Sequence, residues 1–146
     1  MRLEKRILIV DDDDPIRALL ATVLRRRGFH ADCARNGIEA LELLAACCYS
    51  LVVLDLMMPR MNGYEVLDHI GAMPLATRPL VLVLTAGLGL RTFDSSFVVG
   101  TIQKPFDIEL LVDTVAGCLA AAKERPQGEN CPDESAETEA RPLGTA

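Results

Sequence analysis

Four short apolar runs in this 146-residue chain each end on a polar side chain that can take part in chemistry. Carboxylates follow the first two runs, a hydroxyl follows the third, and an ammonium follows the fourth. These side chains belong to Asp11 and Asp12, Asp55, Thr85 and Lys104. If the runs are neighbouring parallel strands, their carboxyl ends meet at one edge of a sheet and the side chains share a cleft. Such a set suits a divalent cation together with a phosphoryl group.

Asp55 is the candidate nucleophile of this cleft. A carboxylate can attack a phosphoryl group directly and form an acyl phosphate. A magnesium ion would offset the repulsion between the carboxylate and the phosphoryl oxygens, and Asp11 and Asp12 supply further carboxylates for such an ion. Thr85 can donate a hydrogen bond to a phosphoryl oxygen, and Lys104 offers a positive charge. The sequence therefore predicts phosphoryl transfer to an aspartate.

The elements that would position these residues alternate along the chain. Strand signals recur about every 20 residues, with amphipathic helical segments between them. Asp14 is the expected N-cap of the first helix, with Pro15 at its first helical position. Asn36 and Asp107 are the expected caps of the second and the last helix. Alternating strands and helices are typical of an α/β domain with a parallel sheet.

Composition narrows the class of protein. The hydrophobic fraction of 50% supports one domain with a sizeable core, and the aromatic fraction of 4% makes that core aliphatic. The net charge of -6 argues against a general nucleic-acid binder, which usually shows a basic face. Five cysteines without Cys-x-x-Cys spacing argue against a zinc site or a disulfide framework. Because no apolar run approaches the roughly 18 residues of a membrane span, we predict a cytoplasmic protein with no nucleic-acid or membrane partner.

The chain changes character near its end. From residue 124 onward Pro and Gly are frequent, large apolar side chains are few, and acids outnumber bases. Such a composition is typical of a disordered segment. We predict one folded domain over residues 1–122 and a disordered acidic tail over residues 123–146.

Four motifs of the chain resemble the receiver domain of bacterial two-component response regulators. They are Ile-Leu-Ile-Val-Asp-Asp-Asp-Asp-Pro-Ile-Arg at 7–17, Leu-Asp-Leu-Met-Met-Pro-Arg-Met-Asn-Gly at 54–63, Leu-Thr-Ala at 84–86 and Lys-Pro-Phe at 104–106. All four in this order are much more specific than any one of them alone. The resemblance covers residues 5–122 and implies a flavodoxin-like (βα)5 fold, a doubly wound parallel sheet with strand order 2-1-3-4-5.

The resemblance also implies roles for the residues of the cleft. Asp55 would be the phosphoacceptor, and Thr85 and Lys104 would contact the phosphoryl group. The magnesium ligands would be Asp11 (partly through water), Asp12, Asp55 and the backbone carbonyl of Met57. The donor would be a phosphohistidine on a sensor histidine kinase or a histidine phosphotransfer protein, and the downstream target would be another protein.

The chain departs from the family where the signal is transmitted. An aromatic residue usually lies three positions before the lysine, and here that position is Thr101. The interval from Thr85 to Lys104 is 19 residues, a few fewer than in the family, and it contains a Gly-rich stretch. We therefore expect a shortened or irregular fourth helix and an altered readout of the phosphorylated state.

Two further positions tune the lifetime of the acyl phosphate in this family. They are Met57, two residues after Asp55, and Gly87, two residues after Thr85. Neither side chain can orient an attacking water. This predicts slow self-dephosphorylation.

Three functions fit the sequence. The leading prediction is a single-domain phosphoacceptor switch without an output domain, which acts by protein contact and catalyses only its own phosphorylation and dephosphorylation. The first alternative is a degenerate receiver that serves as a phosphate-independent interaction module. The second is a haloacid-dehalogenase-like phosphatase using the Asp-x-Asp at 11–13 with Thr85 and Lys104. Such an enzyme needs another strand that ends in an acidic pair after the lysine. Nothing in the sequence after Lys104 provides this strand, and Asp55 would have no role.

Overall fold

The computed structural model describes residues 5–58, 62–86 and 97–121, which contain five strands and four helices. The strands are β1 (Arg6–Val10), β2 (His30–Ala34), β3 (Leu51–Asp55), β4 (Leu80–Thr85) and β5 (Val98–Gln103). The helices are α1 (Asp14–Arg26), α2 (Gly37–Ala46), α3 (Gly63–Gly71) and α4 (Ile108–Ala121). The expected shortened helix after β4 and the expected acidic tail fall on residues 87–96 and 122–146, which lie outside the described residues. None of the described helices is both long and apolar enough to cross a bilayer.

The five strands form one parallel sheet with the order β2-β1-β3-β4-β5, which confirms the predicted flavodoxin-like arrangement. Every residue of β1 and β3 is buried, as expected for strands covered by helices on both faces. The strand order reverses between β1 and β3, so a crevice opens at their carboxyl ends. Asp11, which follows β1, and Asp55, which ends β3, both lie at this crevice.

Alternate residues of each central strand face two separate layers of helices. Leu8 and Val10 pack with α2 and α3 on one face of the sheet, whereas Ile7 and Ile9 pack with α1 and α4 on the other. Burying one such aliphatic side chain contributes about 1.5–3 kcal/mol. The two cores therefore hold the register of the strands, and with it the positions of the strand ends.

Helices α1 and α2 each leave exposed an apolar side chain that helical spacing predicts to be buried. Helical spacing predicts Leu19 and Ile38 on the buried faces of α1 and α2, but they are 47% and 45% exposed. Ala21 and Ala40 are buried instead, because a small side chain lets the helix backbone approach the sheet closely.

Two predicted helix caps are present in the structure. The side chain of Asn36 accepts a hydrogen bond from the backbone N–H of Glu39 at 2.9 Å. The side chain of Asp107 accepts one from the backbone N–H of Glu109, also at 2.9 Å. Each cap satisfies an N–H that has no partner inside its own helix.

The N-cap of α1 is Asp13, and the prediction of Asp14 was wrong. The Asp13 side chain accepts a hydrogen bond from the backbone N–H of Ile16 at 3.1 Å, and Asp14 is the first helical residue. The shift by one position is possible because the first turn of a helix tolerates proline at Pro15. It leaves the Asp14 carboxylate free of capping, and that carboxylate pairs with Arg17.

Candidate functional site

Asp55 is the last residue of β3, and its side chain is only 2% exposed. One carboxylate oxygen, Oδ1, accepts a hydrogen bond from the backbone N–H of Met57 at 3.1 Å. The other, Oδ2, lies 3.2 Å from the Nζ atom of Lys104. With a donor at each oxygen the carboxylate keeps a defined orientation, which a nucleophile requires.

Asp11 and Asp12 reach the same site from the end of β1. Asp11 is fully buried; its Oδ1 accepts a hydrogen bond from the backbone N–H of Asp13 at 2.9 Å, and its Oδ2 lies 3.3 Å from the Nζ atom of Lys104. Asp12 is exposed at the rim. One carboxylate oxygen from each of Asp11, Asp12 and Asp55 lies within 4.8 Å of the other two. One cation can bridge such a spacing with small side-chain adjustments.

Thr85 and Lys104 come from the carboxyl ends of β4 and β5. Thr85 is the last residue of β4 and is buried, and its backbone carbonyl accepts a hydrogen bond from the N–H of Lys104 at 2.7 Å. The peptide bond between Lys104 and Pro105 is cis. From this point the lysine side chain extends to the carboxylates of Asp11 and Asp55, and it remains 21% exposed. The ends of four strands thus bring the predicted site residues to one edge of the sheet.

Met57, the predicted backbone ligand of magnesium, begins the loop after β3. Its side chain points into solvent, with 64% of the residue exposed, while its N–H binds the Asp55 carboxylate. At the far end of the loop, Asn62 and Glu65 form a capping box, in which each side chain accepts a hydrogen bond from the other residue's backbone N–H. Met57 and Asn62, the described residues on either side of this segment, are thus each held by hydrogen bonds.

Burial and an excess of acids together set the electrostatics of the site. The pKa of Asp55 is raised to about 6, mainly because burial penalises the charged carboxylate and also because Asp11 is negative, while the Met57 N–H and Lys104 oppose the shift. Burial works against the charge of Lys104, but attraction to Asp55 and Asp11 outweighs it and raises the lysine pKa. With Asp12 at the rim, three carboxylates face one ammonium.

This residue set fits a divalent cation. Carboxylate oxygens are preferred ligands of Mg²⁺, which also retains several waters. Lys104 contacts two of the three carboxylates, so its single positive charge is set against three negative ones. The exposed position of Asp12 leaves one side of the site accessible to a hydrated ion.

Two contributors to the site were missed at the level of sequence. Arg17, from α1, donates a hydrogen bond to the main-chain carbonyl oxygen of Asp11 at 2.7 Å. Gly63, the first residue of α3, lies so close to β3 that a Cβ atom there would be 2.4 Å from the Cα of Leu56 and 2.5 Å from the carbonyl oxygen of Asp55. Both residues belong to the motifs at 7–17 and 54–63, but spacing along the chain does not reveal what they contact.

Comparison with known proteins gives a consistent result. A family model described as the response regulator receiver domain matches residues 7–116. The chain is 37% identical to the regulatory protein AtoC of Escherichia coli over 109 residues, which make up 73% of this chain and 23% of AtoC. The structure of TrrA from Thermotoga maritima in complex with Mg(2+)-BeF is 36% identical, with a TM-score of 0.67 over 77% of this chain and 97% of that chain. The complex of the histidine kinase ThkA with TrrA gives 36% identity and a TM-score of 0.66, over 79% of this chain and 98% of that chain.

These matches cover the sheet and the site described above. The chain spans less than a quarter of the length of AtoC and about half the length of other curated relatives. With the family model matching residues 7–116 and the strand order of the sheet in agreement, this chain belongs to the response regulator receiver domain family.

Proposed function

We propose that Asp55 accepts a phosphoryl group from a phosphohistidine, with Mg²⁺ held by Asp11, Asp12, Asp55 and the backbone carbonyl of Met57. The observation that carries this proposal is the contact between Lys104 and Asp55, 3.2 Å from Nζ to Oδ2, inside a cluster of three acids. A salt bridge with a purely structural role would pair Lys104 with Asp55 alone. The carboxylates of Asp11 and Asp12 beside this pair favour a site that binds a cation.

The proposed reaction is a direct displacement at phosphorus. A carboxylate oxygen of Asp55 forms a bond to phosphorus while the bond from phosphorus to the donor imidazole nitrogen breaks. The imidazole leaves with the electron pair and takes up a proton from solvent. Mg²⁺, when bound, neutralises the repulsion between the carboxylate and phosphoryl oxygens.

The other residues of the site stabilise the charge that is transferred. Lys104 lies between Asp11 and Asp55. Its ammonium can therefore pair with the Asp55 carboxylate before the reaction and with a phosphoryl oxygen after it. Thr85 is buried at the end of the neighbouring strand and offers a hydroxyl donor to the same group. Preorganised donors of this kind supply most of the catalysis in phosphoryl transfer.

The proposed partner that donates the phosphoryl group is a sensor histidine kinase or a histidine phosphotransfer protein. The complex of ThkA with TrrA supports a kinase partner, and the complex of TrrA with Mg(2+)-BeF supports a magnesium site. We propose that another protein reads the phosphorylated state by direct contact. Thr101 is exposed on β5 opposite Val83, so this readout would proceed without an aromatic side chain at that position.

Phosphorylation of the full chain with acetyl phosphate and Mg²⁺ tests this proposal by intact mass. We expect a gain of about 80 Da, one phosphoryl group, that disappears in Asp55→Asn and in excess EDTA. The matched control is Asp68→Asn, which removes an exposed carboxylate of α3 and should keep the gain. A gain that survives in Asp55→Asn would refute the assignment of the acceptor. Sustained hydrolysis of phosphate esters would indicate a phosphatase, and an unchanged mass would indicate a phosphate-independent module.

The acyl phosphate is expected to persist for minutes to hours after the donor is removed. The exposed side chain of Met57 has no group that can orient an attacking water, and Gly87, which lies outside the described residues, has no side chain. The decay of the mass gain over time measures the lifetime. Met57→Glu, which introduces a carboxylate able to orient water, should shorten it. A half-life of seconds in the unaltered chain would contradict this expectation.

A further inference from the structure

Arg17 reaches back from the first turns of α1 over the turn that carries the first two acids. Its Nη1 atom donates to the main-chain carbonyl oxygen of Asp11 at 2.7 Å, and its Nη2 atom donates to the carboxylate of Asp14. The Arg17 side chain is only 13% exposed, although its partner Asp14 is 77% exposed. A guanidinium held by two acceptors in this way acts as a rigid fork rather than as a mobile surface charge.

The carbonyl that Arg17 holds belongs to the peptide unit joining Asp11 to Asp12. Because a peptide unit is planar, a hydrogen bond to its oxygen restrains rotation of the whole plane, which ends at the Cα atom of Asp12. The Asp11 carboxylate is held separately, by the N–H of Asp13 and by Lys104. Asp12 is exposed, and no donor in the described part of the chain binds its side chain. Its placement therefore depends on the backbone.

We propose that Arg17 is a positioning residue that holds the turn between Asp11 and Asp12 in the geometry needed to bind a divalent cation. The inference rests on the proposed magnesium site and adds to it a residue that binds neither the cation nor the phosphoryl group. Groups that orient metal ligands from behind typically change metal affinity 10–100-fold when they are removed. Loss of the Arg17 fork should accordingly weaken Mg²⁺ binding by about tenfold or more.

Replacing Arg17 removes both a positive charge and two hydrogen bonds, and these two losses have opposite effects on the affinity for Mg²⁺. Arg17 is a cation close to a cation site, so loss of its charge alone would strengthen Mg²⁺ binding. Loss of its hydrogen bonds would weaken binding, because the Asp12 carboxylate would lose its preferred direction. Arg17→Lys separates the two effects, since it keeps the charge but loses the two-donor fork.

The test is the dissociation constant of Mg²⁺, measured by calorimetry on the full chain and on its variants. We expect Arg17→Gln and Arg17→Lys both to bind Mg²⁺ more weakly than the unaltered chain. The matched control is Arg35→Gln, which removes an exposed arginine paired with Glu39 and should leave the constant within about twofold. Unfolding in EDTA checks that each variant is folded; if Arg17→Gln is not, Arg17→Lys carries the test.

The outcomes separate this inference from the proposed function. Equal or tighter Mg²⁺ binding by Arg17→Lys would overturn the role of Arg17, even if Asp55 is phosphorylated normally in the unaltered chain. An unaltered chain that binds no Mg²⁺ would overturn the magnesium site itself. For a positioning role we also expect that saturating Mg²⁺ restores phosphorylation of the Arg17 variants by acetyl phosphate, because Asp55 and Lys104 are untouched.

Discussion

Replacement of Asp55 by Asn is expected to raise the free energy of unfolding of the metal-free protein by about 2 kcal/mol at pH 8. The pKa of Asp55 is raised from 3.8 to about 6, chiefly by burial. Ionising this carboxylate in the folded protein therefore costs about 3 kcal/mol of stability. Asn removes the charge but makes the hydrogen bonds to Met57 and Lys104 less well, so part of the gain is lost.

The pH dependence of this effect has a definite sign. Since the folded state holds the Asp55 proton more tightly than the unfolded state, the stability of the unaltered protein falls as pH rises through the interval from about 4 to 6. Asp55→Asn lacks this loss. The difference between the two proteins should be small near pH 4, grow through the interval and level off above pH 7.

Urea unfolding in EDTA at several pH values measures the difference. Asp68→Asn, which removes an exposed carboxylate, is the control and should show no comparable gain. Adding Mg²⁺ at about 100 times its dissociation constant should stabilise the unaltered protein by about 2.7 kcal/mol, but not Asp55→Asn. An Asp55→Asn protein that is less stable than the unaltered chain at pH 8 without metal would show that the carboxylate is not strained by burial.

Gly63→Ala is expected to destabilise the protein by about 2–3 kcal/mol, as overpacking of a well-packed site does. The new Cβ would lie 2.4 Å from the Cα of Leu56 and 2.5 Å from the carbonyl oxygen of Asp55, and both of these are backbone atoms that cannot rotate away. The hydrogen bond from the Gly63 N–H to the Leu56 carbonyl, 3.0 Å long, would be strained as well. A shift of about 1 Å at a reacting group can cost a hundredfold in rate, so phosphorylation should fall with stability.

Gly117→Ala is the matched control for this variant. Gly117 lies in α4, and nothing comes within 4 Å of a Cβ placed there. Ala is the better helix former, so this change should stabilise the protein by about 0.5–1 kcal/mol and leave phosphorylation unaffected. Gly63→Ala with normal stability and a normal rate would mean that α3 can move away from β3 without cost.

The strands were accessible from the chain because their signals are local and strong, whereas their order was implied by the resemblance to the receiver family. Two of the central strands show this. The apolar runs at 51–54 and 80–84 predict strands there, and the observed strands Leu51–Asp55 and Leu80–Thr85 add only the polar residue that follows each run. The position of the N-cap at Asp13 was not accessible, because Asp13 and Asp14 are both good caps.

The sequence by itself determined which chemical groups are available. It also predicted that parallel strands would bring these groups to one edge of the sheet, because hydrophobic periodicity and strand ends depend on residues that are close together in the sequence. Only the tertiary structure decided which atoms meet. Three contacts show this: Lys104 with Asp11 and Asp55, Arg17 with the Asp11 carbonyl, and Gly63 with the end of β3. The first joins elements that are distant along the chain, and the other two form where the chain folds back over a turn. The physical reason is that such contacts depend on how closely the layers pack and in which direction each backbone unit points, and neither quantity is set by the identity or spacing of neighbouring residues.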